Sequence, residues 1–366
     1  MLTLFNGLTV DLRLSQNIRK TIRPERIILR FTTMFVKKIP VTVISGFLGA
    51  GKTTLVNHVL THNTGANIGV IVNEFGEVGI DGDLILADEE ALIEIRNGCI
   101  CCTVRTDLVA GVKLLLERSD LNLDRLIIET SGLADPAPVL QTFLADTELL
   151  TRVELESVVT LVDAANFQRQ IDDAIAREQI AFADLIVLNK VDLLETDKLT
   201  PLERELRAIN PIAAIIRTNN SEVATDTLLG VHRFSLPNVL AIEPGILQQE
   251  HDHEHDNSLT SCAVETSHAL DPDRFHRWVN QLVQQQGRHI LRMKGVLSFQ
   301  GEARQFYFHS VHMLLDAKPG RPWQSAEARQ SRFVFIGRHL DSAVLQGGFL
   351  DCVHDISHRP VAQSVC

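Results

Sequence analysis

Gly46-Phe47-Leu48-Gly49-Ala50-Gly51-Lys52-Thr53 carries the glycine spacing, lysine and terminal hydroxyl of a phosphate-binding loop, or P-loop. Glycines at its bends let successive backbone N–H groups turn toward phosphate oxygens, and a following helix adds its positive N-terminus. Lys52 would reach the β- and γ-phosphates of a nucleoside triphosphate, and the Thr53 hydroxyl would go to Mg²⁺. The stretch stands where such a loop must, after the apolar run 41–45 and before the amphipathic run 52–62. Further short β-branched runs follow at 67–72, 125–129, 157–162, 185–189 and 213–216, with helical patterns at 104–118 and 201–208. Alternation of this kind predicts an α/β fold: a mostly parallel sheet flanked by helices, as in P-loop NTPases.

A second signature, Asn189-Lys190-Val191-Asp192, comes straight after the run 185–188. In P-loop GTPases the Asp of this tetrapeptide accepts from N1–H and the exocyclic amine of guanine, a pattern adenine cannot present. Wrong-base rejection then rests on buried polar groups left unpaired, at roughly 1–3 kcal/mol each. Between the two motifs lies Glu129-Thr130-Ser131-Gly132-Leu133-Ala134-Asp135-Pro136. Glu129 ends an apolar strand, the place from which a P-loop protein holds Mg²⁺, and Gly132 offers a backbone N–H to the γ-phosphate. The acid is one methylene longer than the usual Asp.

Three thiols crowd into Gly98-Cys99-Ile100-Cys101-Cys102. Each must lose a proton to bind metal, and the helical run from 104 puts them at a helix N-terminus, which favours thiolate. Three thiolates leave one position of a tetrahedral Zn²⁺ shell open, an arrangement suited to transfer; Co²⁺ and Ni²⁺ remain alternatives. Redox thiols or buried small apolar residues are the competing readings of the cluster. Asn73-Glu74-Phe75-Gly76-Glu77-Val78-Gly79-Ile80-Asp81 precedes it, where a GTPase keeps its first switch. Glu74 or Glu77 would complete a metal shell or assist Mg²⁺, or else be a solvated loop carboxylate.

The chain has 366 residues, 45% hydrophobic and 22% charged, with a formal net charge of -11. This is globular composition, long enough for two domains, and the acidic balance argues against a nucleic-acid partner. No run reaches the roughly 20 apolar residues that span a bilayer, so no membrane partner is expected. Of six cysteines, half sit in one motif, which is no disulfide framework and fits a reducing cytoplasm. Residues 1–38 carry eight Lys/Arg against Asp11 and Glu25, or +6, leaving -17 for the rest. That segment reads as a basic disordered tail, a targeting segment, or upstream sequence ahead of a true start at Met34.

The P-loop domain is expected over 39–234 and a linker over 235–260, where His251, His253 and His255 alternate with acids. Those histidines would collect metal at low affinity or serve only as a polar tether. Beyond, a strand at 263–268, a helix over 273–285 and strands at 295–300, 305–311 and 332–336 predict a small α+β domain over 261–350, with a tail over 351–366.

The motif set, from Gly46 through Thr54-Leu55, with Asn73-Glu74-Phe75-Gly76, Gly98-Cys99-Ile100-Cys101-Cys102, Glu129-Thr130-Ser131-Gly132 and Asn189-Lys190-Val191-Asp192, resembles the CobW-like GTPases of the SIMIBI class. Leu291-Arg292-Met293-Lys294-Gly295, Arg321-Pro322-Trp323 and Phe335-Ile336-Gly337 resemble that family's C-terminal domain. The resemblance spans about 39–348 and implies a GTP-hydrolysing metallochaperone that takes Zn²⁺ at the three cysteines and delivers it to a client metalloprotein, with homodimerisation open. The implied phosphate contacts are Gly46, Gly49, Ala50, Gly51, Lys52, Thr53 and Thr54; Lys52, Glu129 and Gly132 would assist hydrolysis; Asn189, Lys190 and Asp192 would hold guanine. The family also contains cobalamin-pathway members that handle cobalt. Two other functions stay open: a regulatory GTP-binding switch with structural cysteines, and a thiol oxidoreductase using Cys101 and Cys102.

Overall fold

The structure is a computed structural model and describes residues 38–63, 65–75, 92–97, 103–231, 259–325 and 327–354. Among these, seven parallel strands form one sheet in the order β3-β2-β4-β1-β5-β6-β7. They are β1 (Ile39–Gly46), β2 (Ile68–Phe75), β3 (Leu92–Asn97), β4 (Arg125–Thr130), β5 (Val153–Asp163), β6 (Leu185–Asn189) and β7 (Ala214–Arg217). The connecting helices are α1 (Lys52–Thr61), α2 (Thr103–Glu117), α3 (Ala137–Ala145), α4 (Leu149–Arg152), α5 (Phe167–Gln170), α6 (Ala174–Phe182), α7 (Thr196–Ile209) and α8 (Thr225–Leu228).

Period-two alternation explains why these runs are buried on both faces. In β1, Val41 and Val43 enter one apolar cluster and Ile44 the other; in β6, Ile186 and Leu188 go one way and Leu185 and Val187 the other. Each strand therefore needs helices on both sides, and a right-handed β-helix-β connection supplies them.

The second sheet is antiparallel, in the order β11-β10-β9-β12-β8. Its strands are β8 (Leu259–Thr266), β9 (Ile290–Leu297), β10 (Arg304–Val311), β11 (Leu314–Pro322) and β12 (Ser331–Arg338), with helices α9 (Pro272–Gln286) and α10 (Ser342–Leu350). Phe333 and Phe335 of β12 point into an aromatic core with Phe275, Phe308 and Phe349. Val334 and Ile336 between them join the apolar cluster of the parallel sheet, so one continuous core runs through both sheets.

A buried ion triad reinforces that seam. The Asp184 carboxylate, at the start of β6, accepts from Arg292 and Lys294 of β9, and the Arg292 guanidinium also donates to the Phe182 carbonyl. Burial pushes the Asp184 carboxyl up, but the two cations outweigh it and hold it below the ordinary carboxylate range.

Several expectations change. Asn73, Glu74 and Phe75, assigned to a switch loop, lie in β2 and pair with Ile95, Arg96 and Asn97 of β3. Their strand partner was missed because Glu94 and Arg96 interrupt its apolar run. Pro201 does not open a helix: α7 starts at Thr196 and passes through it, held by burial of Leu199, Leu202, Leu206 and Ile209. Strand β8 begins at Leu259, inside the segment read as linker, and Cys352 and Val353 of the segment read as tail are buried in the aromatic core. Apolar side chains with a core to fill override the polar composition around them. Among the described residues, no helix is long and apolar enough to cross a membrane.

Candidate functional site

The C-terminal ends of β1, β4, β5 and β6 meet at one edge of the parallel sheet, the place where open α/β sheets bind ligands. Gly46 closes β1, Glu129 and Thr130 close β4, Asp163 closes β5 and Asn189 closes β6. Parallel pairing fixes this geometry, with Ile44 beside Glu129, Gly46 beside Leu161, and Asp163 beside Asn189.

The loop after β1 turns through Gly46, Gly49 and Gly51, with φ of 139°, 74° and 107°. At Gly51 a Cβ would stand 2.5 Å from the Asn189 amide nitrogen and 2.8 Å from the Ser221 hydroxyl, so only glycine fits. Gly51 also caps α1 without a side-chain hydrogen bond, and the first turn of α1 holds no acid. Its N-terminal N–H groups and dipole are thus left to an anion. Lys52, at the first position of α1, donates to the Phe47 carbonyl at 3.3 Å.

The Thr53 hydroxyl donates to Glu129 Oε1 at 2.9 Å. Two hard oxygen donors stand together there, so the residues fit Mg²⁺, and the extra methylene of Glu129 does not prevent the meeting. Gly132 packs directly on the P-loop: a Cβ would lie 2.8 Å from the Leu48 backbone nitrogen.

Asn189 and Lys190 do something the sequence did not assign. The Asn189 amide donates to the Ala50 carbonyl at 2.9 Å and the Ser221 hydroxyl at 3.0 Å, and accepts from the Ser221 N–H at 2.9 Å. The Ser221 hydroxyl donates in turn to the Gly51 carbonyl at 3.0 Å. Lys190, in the left-handed region at φ 61°, sends its ammonium to the Gly49 carbonyl and Asp163 Oδ2, both at 2.8 Å. Both side chains therefore brace the P-loop, while exposed Asp192 stays open to solvent with its N–H held by the Asn219 side chain at 3.1 Å. Burial pushes the Asp163 carboxyl up, but hydrogen bonds from Lys190 and Asn166 outweigh it and hold the group below the ordinary carboxylate range.

Sequence reading missed Asp163, Ser221 and Gln179. Asp163 was legible as an acid closing an apolar strand, the signal used for Glu129. Ser221 follows β7 in the polar cluster Thr218-Asn219-Asn220-Ser221, whose last two residues adopt positive φ. Gln179 left no local signal.

Cys99, Cys101, Cys102, Glu77, His251, His253 and His255 lie outside the described residues, and Glu74 is placed only as a backbone position in β2. Helix α2 opens at Thr103, one residue after Cys102. Among the described residues, no group of three His, Cys, Asp or Glu side chains is placed to hold a metal ion. Cys262 and Cys352 are buried, and burial raises both thiols, Cys352 to about 12.

The glycine loop closing a central parallel strand, the helix behind it and the acid and amide on neighbouring strand ends define a P-loop nucleotide-binding protein. Residues 40–217 match the CobW/HypB/UreG nucleotide-binding domain, and residues 259–353 match the C-terminal domain of the cobalamin synthesis protein cobW. The chain belongs to the CobW/HypB/UreG family. It is 35% identical to the zinc chaperone YjiA of Escherichia coli over 317 residues, 85% of this chain and 98% of that protein. The zinc chaperone CobW of a Sinorhizobium species is 34% identical over 84% of this chain and 96% of its own. A crystal structure of the Zn(II)-bound YjiA GTPase from E. coli matches with a TM-score of 0.69 at 31% identity, covering 86% of this chain and 99% of that one.

Proposed function

We propose that this protein is a GTPase that carries Zn²⁺ to a client metalloprotein, with metal held at Cys99, Cys101 and Cys102 and its release tied to nucleotide state. The observation that carries the nucleotide half is the Thr53 to Glu129 hydrogen bond at 2.9 Å beneath a P-loop braced by Asn189, Ser221 and Lys190. The cargo rests on the donor set, since three thiols in four positions suit a soft divalent ion, and on the zinc chaperones that the chain resembles over most of its length.

In this reading the P-loop N–H groups and Lys52 bind the phosphates of GTP, and Asp192 accepts from the guanine edge. Thr53 and Glu129 would hold Mg²⁺, which would supply charge neutralisation for the phosphates. Gly132 presents its N–H to the γ-phosphate. Water attacks the γ-phosphorus, the bond to the β-γ bridging oxygen breaks, and GDP and phosphate leave. Loss of the γ-phosphate frees the Gly132 loop. Coupling of this type is typically about 1–3 kcal/mol, a several-fold to hundredfold change in metal affinity.

The test is metal analysis of protein purified under reducing, chelator-free conditions, followed by competition for Zn²⁺ with and without a nonhydrolysable GTP analogue. By reciprocity, stoichiometric Zn²⁺ must shift GTP affinity by the same factor. Equal GTP affinity with and without Zn²⁺ removes the coupling, and absence of GTP turnover removes the GTPase.

A further inference from the structure

Helix α6 stands between the Gly132 loop and the antiparallel sheet, and two successive residues on it face the two sides. Gln179 is 1% exposed, and its amide nitrogen donates to the Gly132 carbonyl at 3.2 Å and the Ala134 carbonyl at 3.1 Å. Thr160 of β5 pins the Gln179 backbone carbonyl at 2.9 Å, so this side chain projects from a fixed point. Glu178, the preceding residue, takes a charge-assisted hydrogen bond from Arg338 at the end of β12. The backbone of Arg338 is itself tied to the antiparallel sheet through the His289 carbonyl at 2.9 Å.

Asp135, at the far end of the Gly132 loop, is pushed up by burial, and its N–H partner Ala137 and the Arg338 charge act against that rise. Glu178 is raised first by burial and next by Asp135 itself. One guanidinium from the antiparallel sheet is thus fastened to the helix that supports the Gly132 loop.

We infer that Gln179 is a positioning residue for GTP hydrolysis and that Arg338 of the C-terminal sheet, acting through Glu178, sets its register, so that docking of that sheet controls turnover. This rests on the GTPase reading above and adds an internal regulator to it. Removing Arg338 takes away the cation that ties Glu178 of α6 to β12, which frees α6 to shift against the loop and displaces the Gly132 N–H from the γ-phosphate. The Asn189, Ser221 and Lys190 clamp still holds the P-loop at Gly49, Ala50 and Gly51, so the effect falls chiefly on the chemical step.

The experiment measures GTP turnover and GDP affinity of the full chain for wild type, Arg338→Gln, Arg338→Lys and Gln179→Leu. Expected is a loss of roughly fivefold or more in kcat for Arg338→Gln and Gln179→Leu, with KM and GDP affinity within about twofold. Arg338→Lys keeps the charge and restores most of the rate. Wild-type kcat in Arg338→Gln overturns the inference while leaving the GTPase intact. A parallel collapse of GDP affinity and kcat in both variants also overturns it, since that reports a damaged P-loop. Lack of turnover in the wild type overturns the underlying GTPase reading instead.

Discussion

Replacing Asn189 by Ala is the sharpest probe of the nucleotide site, because one buried amide serves three hydrogen bonds that tie the end of β6 to the P-loop and to the turn after β7. The substitution leaves the Ala50 carbonyl and the Ser221 N–H without the partners they have at 2.9 Å. Ser221 is fully buried and Asn189 is 2% exposed, so water cannot fully replace the lost amide. At about 1–3 kcal/mol for each stranded buried group, the total is about 2–6 kcal/mol. Part appears as lost fold stability; the rest is the cost of ordering a loosened P-loop when phosphate arrives. If that share is at least about 1.4 kcal/mol, nucleotide affinity falls tenfold or more. Titration with fluorescent GDP and GTP, beside a urea unfolding curve, separates the two. Both nucleotides should weaken equally, since the clamp bears on Ala50 and Gly51 and not on the Gly132 loop. Ser221→Ala in the same background should add little, because the two residues share one network. GDP affinity within twofold of wild type would refute the bracing role, and a loss confined to GTP would relocate it to the γ-phosphate.

Asp192→Asn should exchange guanine for xanthine nucleotides, and a retained preference for GTP over XTP in competition would overturn the base assignment. Asp184→Ala removes the carboxylate that Arg292 and Lys294 share in the seam and should cost about 3–5 kcal/mol in urea unfolding, whereas Asp184→Leu with Arg292→Met and Lys294→Met should recover much of that. Because the Asp184 carboxyl is held below its ordinary value in the fold, its stabilisation is complete above the ordinary carboxyl range near pH 4. It is lost as pH falls through the depressed value, so the wild-type urea midpoint should drop more steeply on acidification than that of the Leu/Met/Met variant. Cys262 and Cys352 should label with a thiol reagent at pH 8 only after denaturation, since both are buried and burial raises both thiols, Cys352 to about 12. Rapid labelling of either in the folded protein would contradict their burial.

The parallel sheet was readable because its strands are buried on both faces and so appear as unbroken apolar runs; 185–189 coincides with β6. Strand β3 was not readable, as Glu94 and Arg96 alternate through it and its place comes from pairing with β2. The same holds for β11, where Asp316 and Lys318 interrupt the pattern and pairing with β10 supplies the strand. Among site residues, those bound to a fixed local spacing were visible: the glycines, Lys52, Thr53 and the tetrapeptide at Asn189.

By itself the sequence determined the phosphate loop, the acid at the end of β4, the tetrapeptide at Asn189 and the cysteine cluster, because each is a short-range pattern written in consecutive residues. Only the tertiary structure decided what those residues lean on. Asn189 and Lys190 turn toward the P-loop, Ser221 completes the clamp, and Gln179 reaches the Gly132 loop across 47 positions of chain. Such contacts depend on parallel strands ending side by side and on a second sheet packing against α6. No periodicity in the chain encodes them, since they join residues whose only common property is the place to which the fold carries them.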